Sequence, residues 1–199
     1  VMSAVSGVKV GTEKVWGYAS EVGAAAAIFV NKMDRERADF ARTVEDIQKN
    51  LTDRTCLVVQ MPVGQEEDFK GVVDLLAMKA CIYKGDTSGA FDVVDIPADQ
   101  FDLARKYREK LVETAVEMDD EVMERYLNGD EISPEEIEKC LKAGIADNKI
   151  VPVFCGSAAR NIGINTLLDG IVKLFPPPSS RKEVQGIDPK TGEKVSRES

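Results

Sequence analysis

Apolar positions along the chain fall into two patterns: short unbroken runs, and stripes spaced three and four apart. The clearest run is Ala24–Ala25–Ala26–Ala27–Ile28–Phe29–Val30, which ends abruptly in Asn31–Lys32–Met33–Asp34. Its core, Ala27 to Val30, is flat rather than alternating, which suits a strand buried on both faces of a parallel sheet. Before it, Val1 to Val5 reads as the tail of a strand and Gly11 to Val22 as a helix. Thr12 is the expected N-cap, with Glu13 in the first turn. Val15, Tyr18, Ala19 and Val22 share one face, and Gly23 supplies a left-handed residue at the end. After the run, Asp39 to Leu51 carries Phe40, Val44, Ile47 and Leu51 as a core-facing stripe. Helix, strand, helix is the rhythm of a doubly wound sheet.

The pattern then changes. Thr55 to Met61 reads as a strand closed by Pro62, Gly71 to Leu75 and Met78 to Tyr83 as two more, and Asp92 to Ile96 as an edge strand. No helix separates them, so an antiparallel sheet is expected. Two helices follow, Ala98 to Glu117 and Asp119 to Leu127, the second stopped by Asn128–Gly129. Ser133–Pro134–Glu135–Glu136 is a strong helix start, with Ser as N-cap, Pro in the first turn and acids at the positive end of the dipole. The helix runs to about Ala146, and its face of Ile137, Leu141 and Ile145 is expected to meet the antiparallel sheet. Its acids Glu135, Glu136 and Glu138 form a solvated face or a docking surface. Ile150 to Cys155 is another apolar run, in which Pro152 argues for an edge strand or a strand start. Gly163 to Phe175 is a helix stopped by Pro176–Pro177–Pro178. The tail from Ser179 to Ser199 is polar and reads as a linker with a hairpin-like turn.

Chemistry concentrates at the ends of two strands. In parallel sheets ligands bind beyond the carboxyl ends of the strands, where Asn31, Lys32 and Asp34 stand. A carboxylate accepts two hydrogen bonds at once, and the Watson–Crick edge of guanine offers two adjacent donors that adenine lacks. The Lys32 stem can lie along a flat base while its ammonium stays in water. Asn31 can tie neighbouring loops together. At the second strand end, the small residues Gly156–Ser157–Ala158 let backbone N–H groups approach a ligand closely. The Ala158 N–H could donate to a guanine O6.

Composition narrows the possibilities. The chain has 199 residues, 43% of them hydrophobic, enough for a sizeable core in one large domain or two small ones. A net charge of −9 argues against a broad nucleic-acid-binding face. The four cysteines, Cys56, Cys81, Cys140 and Cys155, have no metal-ligand spacing. Cys81 and Cys155 read as buried thiols, which fits a reducing cytosol. No apolar stretch is long enough to cross a bilayer. Histidine is absent, which removes the commonest general base and metal ligand.

Asn31–Lys32–Met33–Asp34 resembles the guanine-specificity motif of P-loop GTPases. With the strand before it, the intervening α+β stretch and Gly156–Ser157–Ala158, the chain resembles the latter half of the G domain of the bacterial elongation factor G family. Ser3 to Val8, Asn31 to Arg35, Gly71 to Leu75 with Met78–Lys79–Ala80, and Pro152–Val153 carry the likeness, which spans Val1 to Pro178. The resemblance implies an α/β fold: part of a P-loop GTPase-type parallel sheet with an inserted α+β subdomain. Residues 1–54 and 149–178 would form the G-domain parts, 55–148 the insertion, and 179–199 a linker to a further domain. It implies a cytoplasmic GTP hydrolase that binds GTP or GDP, works with Mg²⁺ and drives tRNA–mRNA translocation on the ribosome. The insertion would meet the ribosomal stalk protein. Asn31, Lys32 and Asp34 would contact guanine, with Lys32 stacking and Asp34 selecting; Ser157 and Ala158 would complete the pocket.

The chain contains no Gly-x-x-x-x-Gly-Lys-[Ser/Thr], hence no phosphate cradle or Mg²⁺-binding hydroxyl. Phosphoryl transfer depends on positioning and charge around the phosphates. The expectation is therefore an excised piece of a larger enzyme, inactive alone and with no catalytic residue of its own. Its exposed strand edge would be prone to self-association. Peptide release factor 3, a ribosomal protection protein and a free-standing module that binds the stalk are the alternatives.

Overall fold

The computed structural model describes residues 1–180 and 183–198. Its elements are β1 (Met2–Ser3), α1 (Val10–Glu21), β2 (Ile28–Asn31), α2 (Phe40–Asn50), β3 (Thr55–Val58), β4 (Gln60–Val63), β5 (Gly71–Asp74), β6 (Lys79–Tyr83) and β7 (Phe91–Val94). Then come α3 (Ala98–Val116), α4 (Asp120–Leu127), α5 (Pro134–Ala146), β8 (Ile150–Cys155), α6 (Ile164–Leu174), β9 (Glu183–Ile187) and β10 (Lys194–Glu198).

A parallel sheet in the order β1-β2-β8-β3 forms the centre, and an antiparallel sheet in the order β4-β5-β6-β7 lies beside it. The flat run ending at Val30 is β2, its Ile28, Phe29 and Val30 all buried between parallel neighbours. The chain that separates β3 from β8 in sequence builds the whole antiparallel sheet and α3 to α5.

Four expectations are corrected. The run Thr55 to Met61 is two strands, not one. Thr55–Val58 pairs in parallel with β8, and Gln60–Val63 pairs antiparallel with β5. Val59 is the corner: its N–H still donates to Val153 O, while its carbonyl accepts from Leu75 N in the other sheet. The run is buried without a break from Cys56 to Met61 because it is core to both sheets, so periodicity carried no sign of the break.

Strand β8 is central, despite Pro152. Val153 O accepts from Val59 N, so residue 153 faces β3 and residue 152 faces β2. Pairing with β2 starts only at Ile28↔Val153, so the absent proline N–H leaves no ladder bond unmade.

Helix α5 packs on α3, β8 and α6 rather than on the antiparallel sheet. A Cβ at Gly144 would lie 2.6 Å from Ile150 Cδ1, so helix and strand are in close contact there. Its predicted start holds: Ser133 Oγ accepts from Glu136 N while Glu136 Oε2 accepts from Ser133 N. Bonds from Arg125 and Ser133 pull the Glu136 carboxyl down to about 2.

Helix α1 starts at Val10, one residue before the expected Gly11, but its cap is Lys9 rather than Thr12, which stands at the third helical position with its Oγ1 accepting from Lys9 N. It ends as predicted at Gly23, where φ is 59° and Ala24 N donates to Ala19 O. In the tail, where a hairpin-like turn is expected, β9 and β10 form a hairpin closed by Asp188 N–H to Glu193 O.

Candidate functional site

The carboxyl ends of β2 and β8 lie side by side, and their ladder continues into the loops beyond. Gly156 N donates to Val30 O at 3.0 Å, and Met33 N to Gly156 O at 3.2 Å. Gly156 is required here, since a Cβ would stand 2.4 Å from Ile162 O and 2.7 Å from Phe29 Cζ. The second loop closes on itself through a reciprocal pair, Ser157 N to Ile162 O and Ile162 N to Ser157 O.

Asn31 joins the two loops. Its Oδ1 accepts from Lys32 N at 2.8 Å and from Ala158 N at 3.0 Å. Lys32 can turn away from the strand because its φ is 67°. The buried Met33 anchors the loop in the core while Lys32 stays exposed. Asp34 follows in a recess, its side chain 10% exposed, with Arg160 Nε at 3.7 Å and Arg35 Nε at 4.0 Å from its Oδ2.

Ser157 is fully buried and its Oγ accepts from Arg160 N. It shapes the loop from below, whereas Ala158 is exposed beside Asn31. The Ala158 N–H, expected to donate to a guanine O6, donates to Asn31 in this structure. Base binding there would share or replace that bond.

All five residues singled out in the sequence, Asn31, Lys32, Asp34, Ser157 and Ala158, therefore stand on two adjoining loops. The contacts that the antiparallel sheet makes with these loops were not foreseen. Glu66 N donates to Met33 O, Arg37 N to Glu66 Oε1, and Arg160 Nη1 to the Glu67 carbonyl. Farther along, Asn161 Nδ2 donates to Thr87 O and Asn165 Nδ2 to Gly89 O. The acidic loop Gly64 to Asp68 was visible in the sequence; what it touches was not, because such contacts span up to 93 positions.

Two strand-end loops on a parallel sheet, one of them Asn-Lys-x-Asp, define a P-loop GTPase domain of Ras-like architecture. The sequence profile described as Elongation factor Tu GTP binding domain matches residues 1–177, and the chain belongs to that family. The fold is also similar to a crystal structure from Thermus thermophilus, at 27% identity and a TM-score of 0.81. That match covers 98% of this chain and 30% of the Thermus chain, so this chain spans under a third of that protein's length.

Proposed function

We propose that this chain is the guanine-recognition part of a translational GTPase of the elongation factor G type. The observation that supports the reading is the bond from Ala158 N to Asn31 Oδ1, which ties the two strand-end loops together, with Asp34 joined to the second loop through Arg160. In this reading Asp34 accepts from the guanine N1–H and 2-amino group, Lys32 covers a face of the base, and Asn31 with Ser157 fixes both loops.

The parent protein would be a cytoplasmic GTP hydrolase that promotes translocation on the ribosome. GTP or GDP fits the donor and acceptor set at the base loops. The triphosphate and its Mg²⁺ do not find an equivalent set here. The chain has no phosphate-loop motif, and no three carboxylates, cysteines or histidines converge among the described residues. No hydrolytic step is therefore assigned to these residues. We place the start of the insertion after Val58 rather than at residue 55, because Thr55–Val58 pairs within the parallel sheet.

Calorimetric titration with GDP, IDP and ADP tests the base reading. A bidentate base contact discriminates by about 1–3 kcal/mol, whereas micromolar affinity needs about 8 kcal/mol. The expected result is millimolar binding that favours GDP; equal binding of ADP would refute the assignment.

A stalk-binding module is the second reading. It draws less support, because Glu136 is engaged by Arg125 and Ser133, and Glu138 by Lys142 and Lys173. These acids hold α5 to its neighbours. Pull-down with purified stalk protein separates the two readings. At the sheet margin, β1 has β2 as its only partner strand among the described residues. Self-association through that edge is expected to raise the sedimentation coefficient with concentration.

A further inference from the structure

We propose that Arg160 is a positioning residue for guanine recognition, which aims the Asp34 carboxylate and is itself held by the antiparallel sheet. This inference rests on the reading that Asp34 accepts from the base. Arg160 stands at the meeting of three structures. Its backbone N–H donates to Ser157 Oγ at 3.3 Å, its Nη1 donates to the Glu67 carbonyl at 3.2 Å, and its Nε lies 3.7 Å from Asp34 Oδ2.

A carboxylate that takes two hydrogen bonds from one base edge must lie in the plane of that base. Asp34 is recessed, and a recessed charge needs a partner to offset its lost hydration. The Arg160 guanidinium supplies that charge through Nε, a charge contact at 3.7 Å, while its Nη1 bonds the Glu67 carbonyl; a planar fork bonded at one end keeps the other turned toward Asp34, which an ammonium cannot do.

The fork is in turn fixed from the sheet. The turn that offers the Glu67 carbonyl also grips the Asp34 loop on both sides, through Glu66 N to Met33 O and Arg37 N to Glu66 Oε1. One turn of the antiparallel sheet is thus bonded to both base loops. Non-glycine residues with positive φ gather at the same junction: Lys32, Arg37, Glu66, Thr87 and Asn161. Such conformations persist where the surroundings over-determine them.

The test is a titration of the ¹⁵N-labelled 199-residue chain with guanosine and inosine monophosphates, followed at the Asn31, Lys32 and Ala158 amides. Hypoxanthine lacks the 2-amino group, so it offers Asp34 one donor instead of two. The wild type is expected to prefer guanine at least about fivefold. Arg160→Gln is expected to bring that ratio close to one while the amide spectrum stays dispersed. Arg160→Lys, which keeps charge without the fork, is expected to leave the preference largely unrestored.

Glu66→Ala approaches the same device from the sheet and is expected to lower the ratio and speed hydrogen exchange at Arg37. A selective wild type with an equally selective Arg160→Gln overturns the positioning role and leaves the guanine reading standing. Full recovery in Arg160→Lys overturns the role of the fork. A wild type indifferent to the base overturns the guanine reading itself.

Discussion

Helices α1 and α2 flank the same strand, are of nearly equal length, and both show an apolar stripe in the sequence, yet they are held in different ways. Helix α2 buries Phe40, Thr43, Val44 and Ile47, and Asp39 caps its start by accepting from Arg42 N. Helix α1 buries no residue; Val15, Tyr18 and Val22, expected to share one face, are 66%, 55% and 71% exposed. Between it and the sheet lies a cavity of about 450 Å³ lined by Met2, Val15, Ala27, Ile28 and Leu51, among others.

A polar clamp holds α1 instead. Trp16 Nε1 and Ser20 Oγ donate to Asp53, and Arg54 stacks over Trp16 at 4.5 Å while bonding Ser20 Oγ and the Ala24 carbonyl. A stripe therefore predicts that a helix forms, but not that its stripe is covered.

The largest expected contrast comes from truncating one apolar residue on each helix. Ile47 is fully buried, so Ile47→Ala should cost about 2–5 kcal/mol through lost transfer energy and the cavity left behind. Val15→Ala should change stability by less than about 0.5 kcal/mol. Urea denaturation of both variants measures the difference. Comparable losses would mean that α1 is packed after all.

A smaller effect is expected from the clamp. The Arg54 side chain is 5% exposed and makes two hydrogen bonds besides its stacking on Trp16. Removing it in Arg54→Ala should cost about 1–3 kcal/mol, summed from hydrogen bonds of about 1 kcal/mol each and a cation–π contact of similar size. The loss should be local, with amide exchange rising along α1 and unchanged along α2. Uniform acceleration across both helices would show that the clamp supports the whole domain.

Much of this architecture is legible in the sequence wherever a short segment decides its own fate. The flat run at β2, the Ser133 cap and the Gly23 terminus are set by neighbours within four or five positions, and they stand close to where the pattern puts them. The two candidate-site loops are legible for a further reason: strand ends in a parallel sheet point their loops to one side. What the pattern conceals depends on partners distant in the chain. The split at Val59 is invisible because both sheets want the same apolar residues. The surface on which α5 rests, the uncovered face of α1 and the grip of Glu66 and Arg160 on the two candidate-site loops likewise exist only once the chain has folded.

The smallest expected effect lies in how the clamp on α1 meets acid. Burial opposes the charge on Asp53, but the hydrogen bonds from Ser20 and Trp16 outweigh it, so its carboxyl titrates below the ordinary 3.8. A carboxyl lowered on folding contributes stability that is fully present above its unfolded pKa and lost as pH falls through the folded one. The clamp on α1 should therefore persist down to about pH 4 and loosen only below 3.8. Trp16 is the only tryptophan, so its fluorescence reports the clamp directly. The wild-type emission should stay constant above pH 4 and shift at lower pH, with a midpoint below 3.8. Asp53→Asn should show the displaced emission already at neutral pH and no acid limb. A wild-type midpoint at or above 3.8 would mean that burial, not the Trp16 and Ser20 bonds, governs Asp53, and that α1 is held by something other than this carboxylate.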